Sequence, residues 1–445
     1  LLNLRIMMKI KSLMYVLMGT FTIVACTNSD NEATTGDSPT DKISTGFDWA
    51  TSRTVSVSIT SANKTLVSLY SDAECKILLL ENALVEGETT VDLNIPMHSQ
   101  AVYAKYTAIS GPQVRTINLK AVTRANGSIN LEDAVAPTSE EDAGFRFYHN
   151  TGVAMFEDNW PKQSNGPDND LNDVVIEYDL KVTECQVEDL LPAHGYKEGL
   201  LLTLDLRAKG GYYPTKLGVE LIGLDKKYIN EITSRILWKG GQGTEEEIAR
   251  KETRDDFVEV NTDTYKLTVD VKTGNPVIML DGLSALGDKQ NFFQTTEGYI
   301  VIGKPMLRAE IKFAGKNRSE ITDNEGKTQL EAYRNLILDT KKQNFFIVTN
   351  DNKEIHMKGY EPTRFYTNYD VDAAKADVEM INGIPYCNKN GFVWGVKVPV
   401  GVKHAYERVP FAEAYPQFTE WAQSNGAQNK GWYLAPLDGK VVEAW

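Results

Sequence analysis

The chain has 445 residues, 42% of them hydrophobic, and a formal net charge of −14. That length and apolar content bury an ample core and point to two or three domains. The negative balance excludes nucleic acid as a partner, because phosphate binding needs a basic surface, and it is compatible with a calcium-rich exterior.

In chain order, residues 1–26 read as a targeting signal. Arg5, Lys9 and Lys11 form a basic n-region, and Leu13 to Ala25 is an apolar stretch of h-region length. Met7 or Met8 is the expected start, since Leu1-Leu2 opens the sequence. The stretch is too short for an ordinary membrane-spanning helix. It ends in Ile23-Val24-Ala25-Cys26, which resembles a bacterial lipobox and makes Cys26 the lipidation site. Residues 27–46 are too polar to bury a core and read as a flexible tether. Their early acidic residues resemble the export signal of surface lipoproteins in Bacteroidetes. The expected location is therefore the outer membrane, reached through a lipid anchor, with the surface exposed. Cys75, Cys185 and Cys387 remain; an odd, widely spaced set is a poor disulfide framework, so core positions are expected.

Residues 47–138 read as a small β-sandwich domain. Val55, Val57 and Ile59 alternate with Ser56 and Ser58, and further short strands are expected at Leu66–Tyr70, Val91–Ile95 and Val102–Tyr106. A second β-rich domain spans 139–445. Its strands are expected at Phe145–His149, Val153–Phe156, Val174–Val182, Leu200–Arg207, Leu217–Ile222, Leu267–Val271 and around Asn291-Phe292-Phe293, with a turn at Gly210-Gly211. From Pro410 to Trp421, Phe411, Ala414, Tyr415, Phe418 and Trp421 recur at helical spacing and suggest a core-facing helix. Pro416 falls inside that run and should kink or split it. The expected class is mainly β: tandem β-sandwich domains and a mixed, β-rich C-terminal part carrying a short late helix.

The chemistry concentrates between Glu157 and Asp173. Asp168-Asn169-Asp170-Leu171-Asn172-Asp173 offers a hard oxygen at every position except Leu171. Packing Asp168, Asp170, Asn172 and Asp173 together is electrostatically costly, and a divalent cation offsets the repulsion. Calcium takes six to eight oxygen ligands, whereas magnesium prefers a small octahedral site that keeps several waters. The segment is not an EF-hand loop: Asp173 stands at the sixth place, where that loop needs Gly, and a strand follows. Asp179 holds the twelfth place, but a strand at roughly 3.3 Å per residue carries it about 20 Å away. Closing carboxylates are expected instead from Glu157 or Asp158. The alternative is an Asx-rich turn capping its own amides.

Phe156-Glu157-Asp158-Asn159-Trp160-Pro161, followed by Asp168 to Val175, resembles the signature of the LruC-domain proteins, lipid-anchored bacterial surface proteins. Phe345-Phe346-Ile347-Val348, Glu354 to Thr363, the Ala414 to Ala422 helix and Trp432-Tyr433 are similar to that family's later parts. The resemblance covers about 141–445. Departures are Leu171 where an aromatic is common, a longer spacer over 162–167, and Val393-Trp394 without a Pro; none removes an oxygen ligand. It implies no known enzymatic activity and an acidic signature that binds a cation.

Three functions compete. The first is a calcium-stabilised surface binding or adhesion protein of unknown extracellular ligand, glycan or protein, and not an enzyme. The second is a hydrolase using Glu157 and Asp158, which strand alternation should hold on opposite faces. No Ser-His-Asp order or His-Glu-x-x-His supports it, and His98, His149, His194, His356 and His404 are scattered, with His356 expected to be structural. The third is a carbohydrate-binding, fimbria or uptake-complex subunit in which Tyr212, Tyr213, Trp432 and Tyr433 stack on sugars.

Overall fold

Strand alternation sets the architecture. In β1 (Ser52–Tyr70), Val55, Val57, Ile59, Val67 and Leu69 are buried while Thr54, Ser56 and Ser58 face outward. β1 pairs along its length with β2 (Leu78–Pro96), and the register slips between Ser61 and Thr65, where exposed Ala62-Asn63-Lys64 bulges out. What the sequence suggests as separate short strands is thus one long, bent pair. β3 (Ala101–Ala108), β4 (Gly111–Asn118) and β5 (Asn126–Asn130) complete this region; β5 lies parallel to β1.

The structure, a computed structural model, describes residues 42–120, 126–139, 143–158, 169–187, 198–239, 257–260, 263–287, 292–301, 305–317, 320–366, 378–381 and 384–443. The signal, Cys26 and the tether to residue 41 lie outside them, as do 159–167, Asp168 and His194.

Downstream come β6 (Phe145–Phe156), β7 (Val174–Cys185), β8 (Gly199–Ala208), β9 (Pro214–Leu221), β10 (Glu231–Lys239) and β11 (Phe257–Glu259). β12 (Lys266–Asp270), β13 (Val277–Asp281) and β14 (Met306–Ala314) precede the helix α1 (Asp323–Leu338). After it lie β15 (Gln343–Thr349), β16 (Glu354–His356), β17 (Val378–Ile381), β18 (Ile384–Asn388) and β19 (Gly395–Pro399). One sheet runs β11-β10-β14-β8-β7-β6-β2-β1-β3-β4, with β19 on β6 and β5 on β1; the second runs β12-β13-β9-β15-β16. Among the described residues strand content is 48% against 12% helix, so the mainly β expectation holds, short late helices included. The large sheet crosses the expected boundary at 138/139, because Leu80 and Glu81 of β2 pair with Tyr148 and Phe147 of β6.

The core fills the space between the two sheets, with Leu202, Leu204, Ile176, Val219, Ile278 and Phe345 in one apolar cluster. The helix α1, which no sequence pattern announced, is closed by a capping box of Thr322 and Glu325 and buries Tyr333, Leu336 and Ile337. Its first half is polar, so only two turns carry the apolar stripe. The late helix is split as Pro416 requires, into α2 (Phe411–Ala414) and α3 (Phe418–Gln423). Its aromatic stripe is core: Phe411, Tyr415, Phe418 and Trp421 are buried and surround Trp432.

Two sequence expectations need correction. Phe292-Phe293 is not a strand; Phe293 and Lys209 exchange a single antiparallel bridge, 2.9 and 3.1 Å. Of the three cysteines, only Cys387 is a core residue; Cys75 and Cys185 are half-buried, Cys185 giving its thiol to the Val187 carbonyl at 3.0 Å.

Candidate metal centre

The β6–β7 register assembles the acidic residues. Phe156 pairs with Val174, so Glu157 and Asp158 leave β6 beside Asn172 and Asp173 arriving at β7. Val175 pairs with Ala208 of β8, which brings Lys209, Gly210 and Gly211 alongside. Gly210 N–H donates to the Asn172 carbonyl at 3.0 Å, and Gly211 N–H to the Asp173 carbonyl at 3.3 Å. A third wall comes from 405–411, where Phe411 N–H donates to the Asn169 carbonyl at 2.8 Å. Asn169 and Leu171 both hold left-handed φ, 49° and 54°, which coils the loop tightly while Leu171 anchors it in the apolar cluster of Phe411 and Trp432.

Every described candidate ligand is buried: Glu157 2%, Asp158 5%, Asp170 1%, Asn172 0% and Asp173 8% exposed. Carboxylate oxygens of Glu157, Asp158 and Asp173 lie within 4.8 Å of one another. This corrects the expectation that Glu157 and Asp158 face opposite ways. β6 ends at Phe156, so strand alternation no longer governs the next two residues.

Asp170, by contrast, is turned toward backbone. Its carboxylate accepts the Asn172 N–H at 3.2 Å and the Arg408 N–H at 2.8 Å, the Asx-turn role that was the alternative reading. Asn172 gives its amide N–H to the Ala405 carbonyl at 3.2 Å, while its Oδ1 is buried with no hydrogen-bond partner among the described residues. The sequence thus supplied both kinds of residue: a converging trio, and a pair that tie the loop to 405–408.

Gly210 and Gly211 form the cradle, a role the sequence disclosed only as a turn. A Cβ on Gly211 would lie 2.1 Å from Asp158 Oδ2 and 2.9 Å from Asp173 Oδ1. One on Gly210 would lie 2.1 Å from Asn172 Oδ1 and 2.9 Å from Glu407 Oε2. Asp158 Oδ2 also accepts the Tyr213 N–H at 3.0 Å, and Asp173 Oδ2 accepts the Asp158 N–H at 2.5 Å. Lys209, Glu407 and the Arg408 amide are contributors that no sequence motif marked.

The electrostatics follow from crowding. Burial pushes the Asp173 carboxyl well above the usual carboxylate range, the charges of Asp158, Glu157 and Asp170 push it further, and so does its hydrogen bond with Glu157. Burial pulls Lys209 down while Asp158 and Asp173 pull it up. A proton shared between Glu157 and Asp173 relieves the repulsion in one way; a cation relieves it in another. The donors fit a hard cation: all are oxygens, and ligands on opposite sides of calcium at about 2.4 Å stand about 4.8 Å apart.

The aromatics proposed for sugar stacking separate cleanly. Trp432 and Tyr433 are buried at 0% and 4%, Tyr433 sharing a 2.6 Å hydrogen bond with His98 Nδ1, whereas Tyr212 and Tyr213 are 71% and 40% exposed. His356 is structural: it stacks on Phe346 and bonds Asn344 and Glu354 at 2.9 Å each. Among the described residues, no helix is long and apolar enough to cross a membrane.

The chain is similar to a crystal structure of a candidate lipoprotein from Bacteroides ovatus, with 44% identity and a TM-score of 0.72 over 86% of this chain and 100% of that one. The major pilin subunit of Bacillus cereus covers 68% of this chain and 66% of its own at 7% identity and a TM-score of 0.16. A serine-rich repeat adhesion glycoprotein from Streptococcus agalactiae covers 64% and 92% at 8% and 0.20. Likenesses that weak carry no argument. No match was found among curated proteins. A family model described as Domain of unknown function (DUF4842) matches residues 199–433, which leaves the acidic signature at 156–175 upstream of the matched span. The match takes in more than half of the chain, which therefore belongs to the DUF4842 family.

Proposed function

We propose that this protein is a lipid-anchored, non-enzymatic binding or adhesion protein of the bacterial outer surface, and that its acidic centre holds a calcium ion as a structural brace. The observation that carries the metal reading is the convergence of the Glu157, Asp158 and Asp173 carboxylates near Asn172 Oδ1, which has no hydrogen-bond partner among the described residues. These four residues would hold the ion. Calcium, when bound, supplies the positive charge that lets three buried carboxylates ionise together. Asp170 braces the loop against Arg408, and Asp168 belongs to the same acidic segment outside the described residues. The LruC resemblance supports the same role.

The anchor reading rests on the lipobox at Cys26 and on the likeness to the Bacteroides ovatus lipoprotein. A hydrolase is disfavoured because Glu157 and Asp158 are buried against Asp173, which leaves no face on which a glycosidic bond could sit between them.

The test is urea unfolding in EDTA and again in excess calcium. Ligation adds RT ln(1 + [L]/Kd), about 2.7 kcal/mol at a hundredfold excess over Kd. Identical curves would remove the metal from the account. Separately, labelled palmitate should enter the wild-type chain and not Cys26→Ala; label in both refutes the anchor.

A further inference from the structure

Residues 42–51 precede the first strand and belong to no regular element, yet they are fastened to the later part of the chain. Ile43, Phe47 and Trp49 are buried at 0%, 5% and 6% exposure. Their apolar cluster includes Leu171, Val175, Phe418 and Trp421 and no residue of β1 to β5. Ile43 N–H donates to the Asn390 carbonyl at 3.0 Å, and Thr51 gives its hydroxyl to the Lys397 carbonyl at 2.7 Å across 346 positions of sequence. Between these two anchors Phe47 meets Trp421 edge-on at 5.0 Å, and Trp49 packs on Phe418 and Trp421 at 5.7 Å each. Trp49 itself sits at a φ of 57°, a left-handed conformation that a bulky residue holds only where its surroundings over-determine it. The exposed Asp48–Lys341 pair, at 3.9 Å, adds little, so the rings and the two carbonyls do the fastening.

Residues 27–41 join this segment to Cys26, the proposed point of lipid attachment. A pull between the anchor and a bound ligand therefore enters the described fold at Lys42 and Ile43. Were the segment loose, that pull would reach the Ser52 end of β1, where pairing with β2 begins at Ser52 and Pro96 and would open one pair at a time. Because the segment is fastened, the pull passes instead to Asn390, Lys397 and the rings of Phe418 and Trp421. Leu171, which anchors the acidic loop, belongs to the same apolar cluster. The load thus reaches the acidic centre without crossing β1 to β5.

We infer that residues 42–51 are a load-bearing clasp, which carries tension from the membrane anchor past β1 to β5 into the part of the fold that holds the acidic centre. The purpose of the clasp rests on the anchor reading, but its strength does not. A pulling experiment needs no lipid, so failure of the clasp and failure of palmitate labelling are separate results.

The test is single-molecule pulling of the chain from Thr27 onward, in calcium throughout. One handle is a peptide tag before Thr27; the other is a thiol linker at Tyr212→Cys, beside the acidic centre, with Cys75→Ser and Cys185→Ser to keep the half-buried thiols from reacting. The chain with its clasp intact should show no extension step before the main rupture. Phe47→Ala combined with Trp49→Ala should add an early step at lower force, of up to about 35 Å as ten residues straighten. A low-force step of that size with the clasp intact overturns the inference, as do identical traces with and without the two rings. Hydrogen exchange on the unsubstituted chain decides the matter even where the double variant does not fold. The Ile43 amide, bonded to the Asn390 carbonyl, should exchange at least a hundredfold more slowly than an unstructured amide, and exchange at the unstructured rate overturns the clasp.

Discussion

Asp173→Asn should change stability in opposite directions with and without calcium. The side chain keeps its shape, and the amide oxygen can still accept the Asp158 N–H that Asp173 Oδ2 receives at 2.5 Å. The variant removes one negative charge from three carboxylates whose oxygens lie within 4.8 Å. At an effective dielectric of about 20, each like-charged pair at that distance costs at least ~3 kcal/mol. The proton shared with Glu157 already relieves part of this in the wild type, so a gain of about 1–3 kcal/mol is expected in EDTA. In calcium the sign reverses. Losing one charged ligand weakens affinity, and a hundredfold loss at a starting excess of a hundredfold cuts the ligation increment from about 2.7 to about 0.4 kcal/mol. Urea unfolding at constant temperature is the better assay, because unfolding entropy grows with chain length and a large unit moves its thermal midpoint only about 1 °C per kcal/mol. Equal destabilisation in both buffers would refute the reasoning, since it would mean that the carboxylate acts through packing alone.

Other consequences follow from the same geometry. Gly211→Ala introduces a Cβ 2.1 Å from Asp158 Oδ2, so it should destabilise by about 1–3 kcal/mol and weaken calcium binding, read by urea unfolding and calcium titration. In EDTA the raised Asp173 carboxyl makes the folded state bind more protons than the unfolded one, so this group's contribution falls as pH rises from about 4 towards its folded value; calcium should abolish that slope. Lys397 behaves as the opposite case. Burial lowers its amine to about 7. Its nitrogen donates to the carbonyls of Thr340 and Gln343 at 2.5 and 2.9 Å and to the Tyr360 hydroxyl oxygen at 2.5 Å, while that hydroxyl gives its own proton to the Thr340 carbonyl at 2.7 Å. The unfolded chain then holds the proton longer, so stability should rise between pH 7 and about 10, and Lys397→Met should lose that rise.

Much of the strand content was legible because a half-buried strand alternates, and β1, β3 and β7 do so plainly. The fusion of short stretches into β1 and β2 was not, because Ala62-Asn63-Lys64 reads as a loop until a long partner strand closes over it. Helix α1 was hidden by its polar first turns, Asp323 to Lys327, whose helical state depends on a cap and on packing rather than on periodicity. At the acidic centre, spacing identified the oxygen-rich residues and not their division of labour. That division comes from the β6–β7 register and from Gly210-Gly211, some forty residues downstream, and such tertiary contacts leave no mark in local spacing. Burial of Trp432 and Tyr433 likewise depends on α2 and α3 folding over them.

A crystal structure of the chain grown in calcium, with anomalous scattering collected to identify the ion, decides whether the acidic centre holds a metal. A peak is expected among Glu157, Asp158, Asp173 and Asn172 Oδ1, with metal–oxygen distances of about 2.3–2.6 Å. Absence of a peak, with Glu157 and Asp173 sharing a proton in its place, would contradict the metal reading.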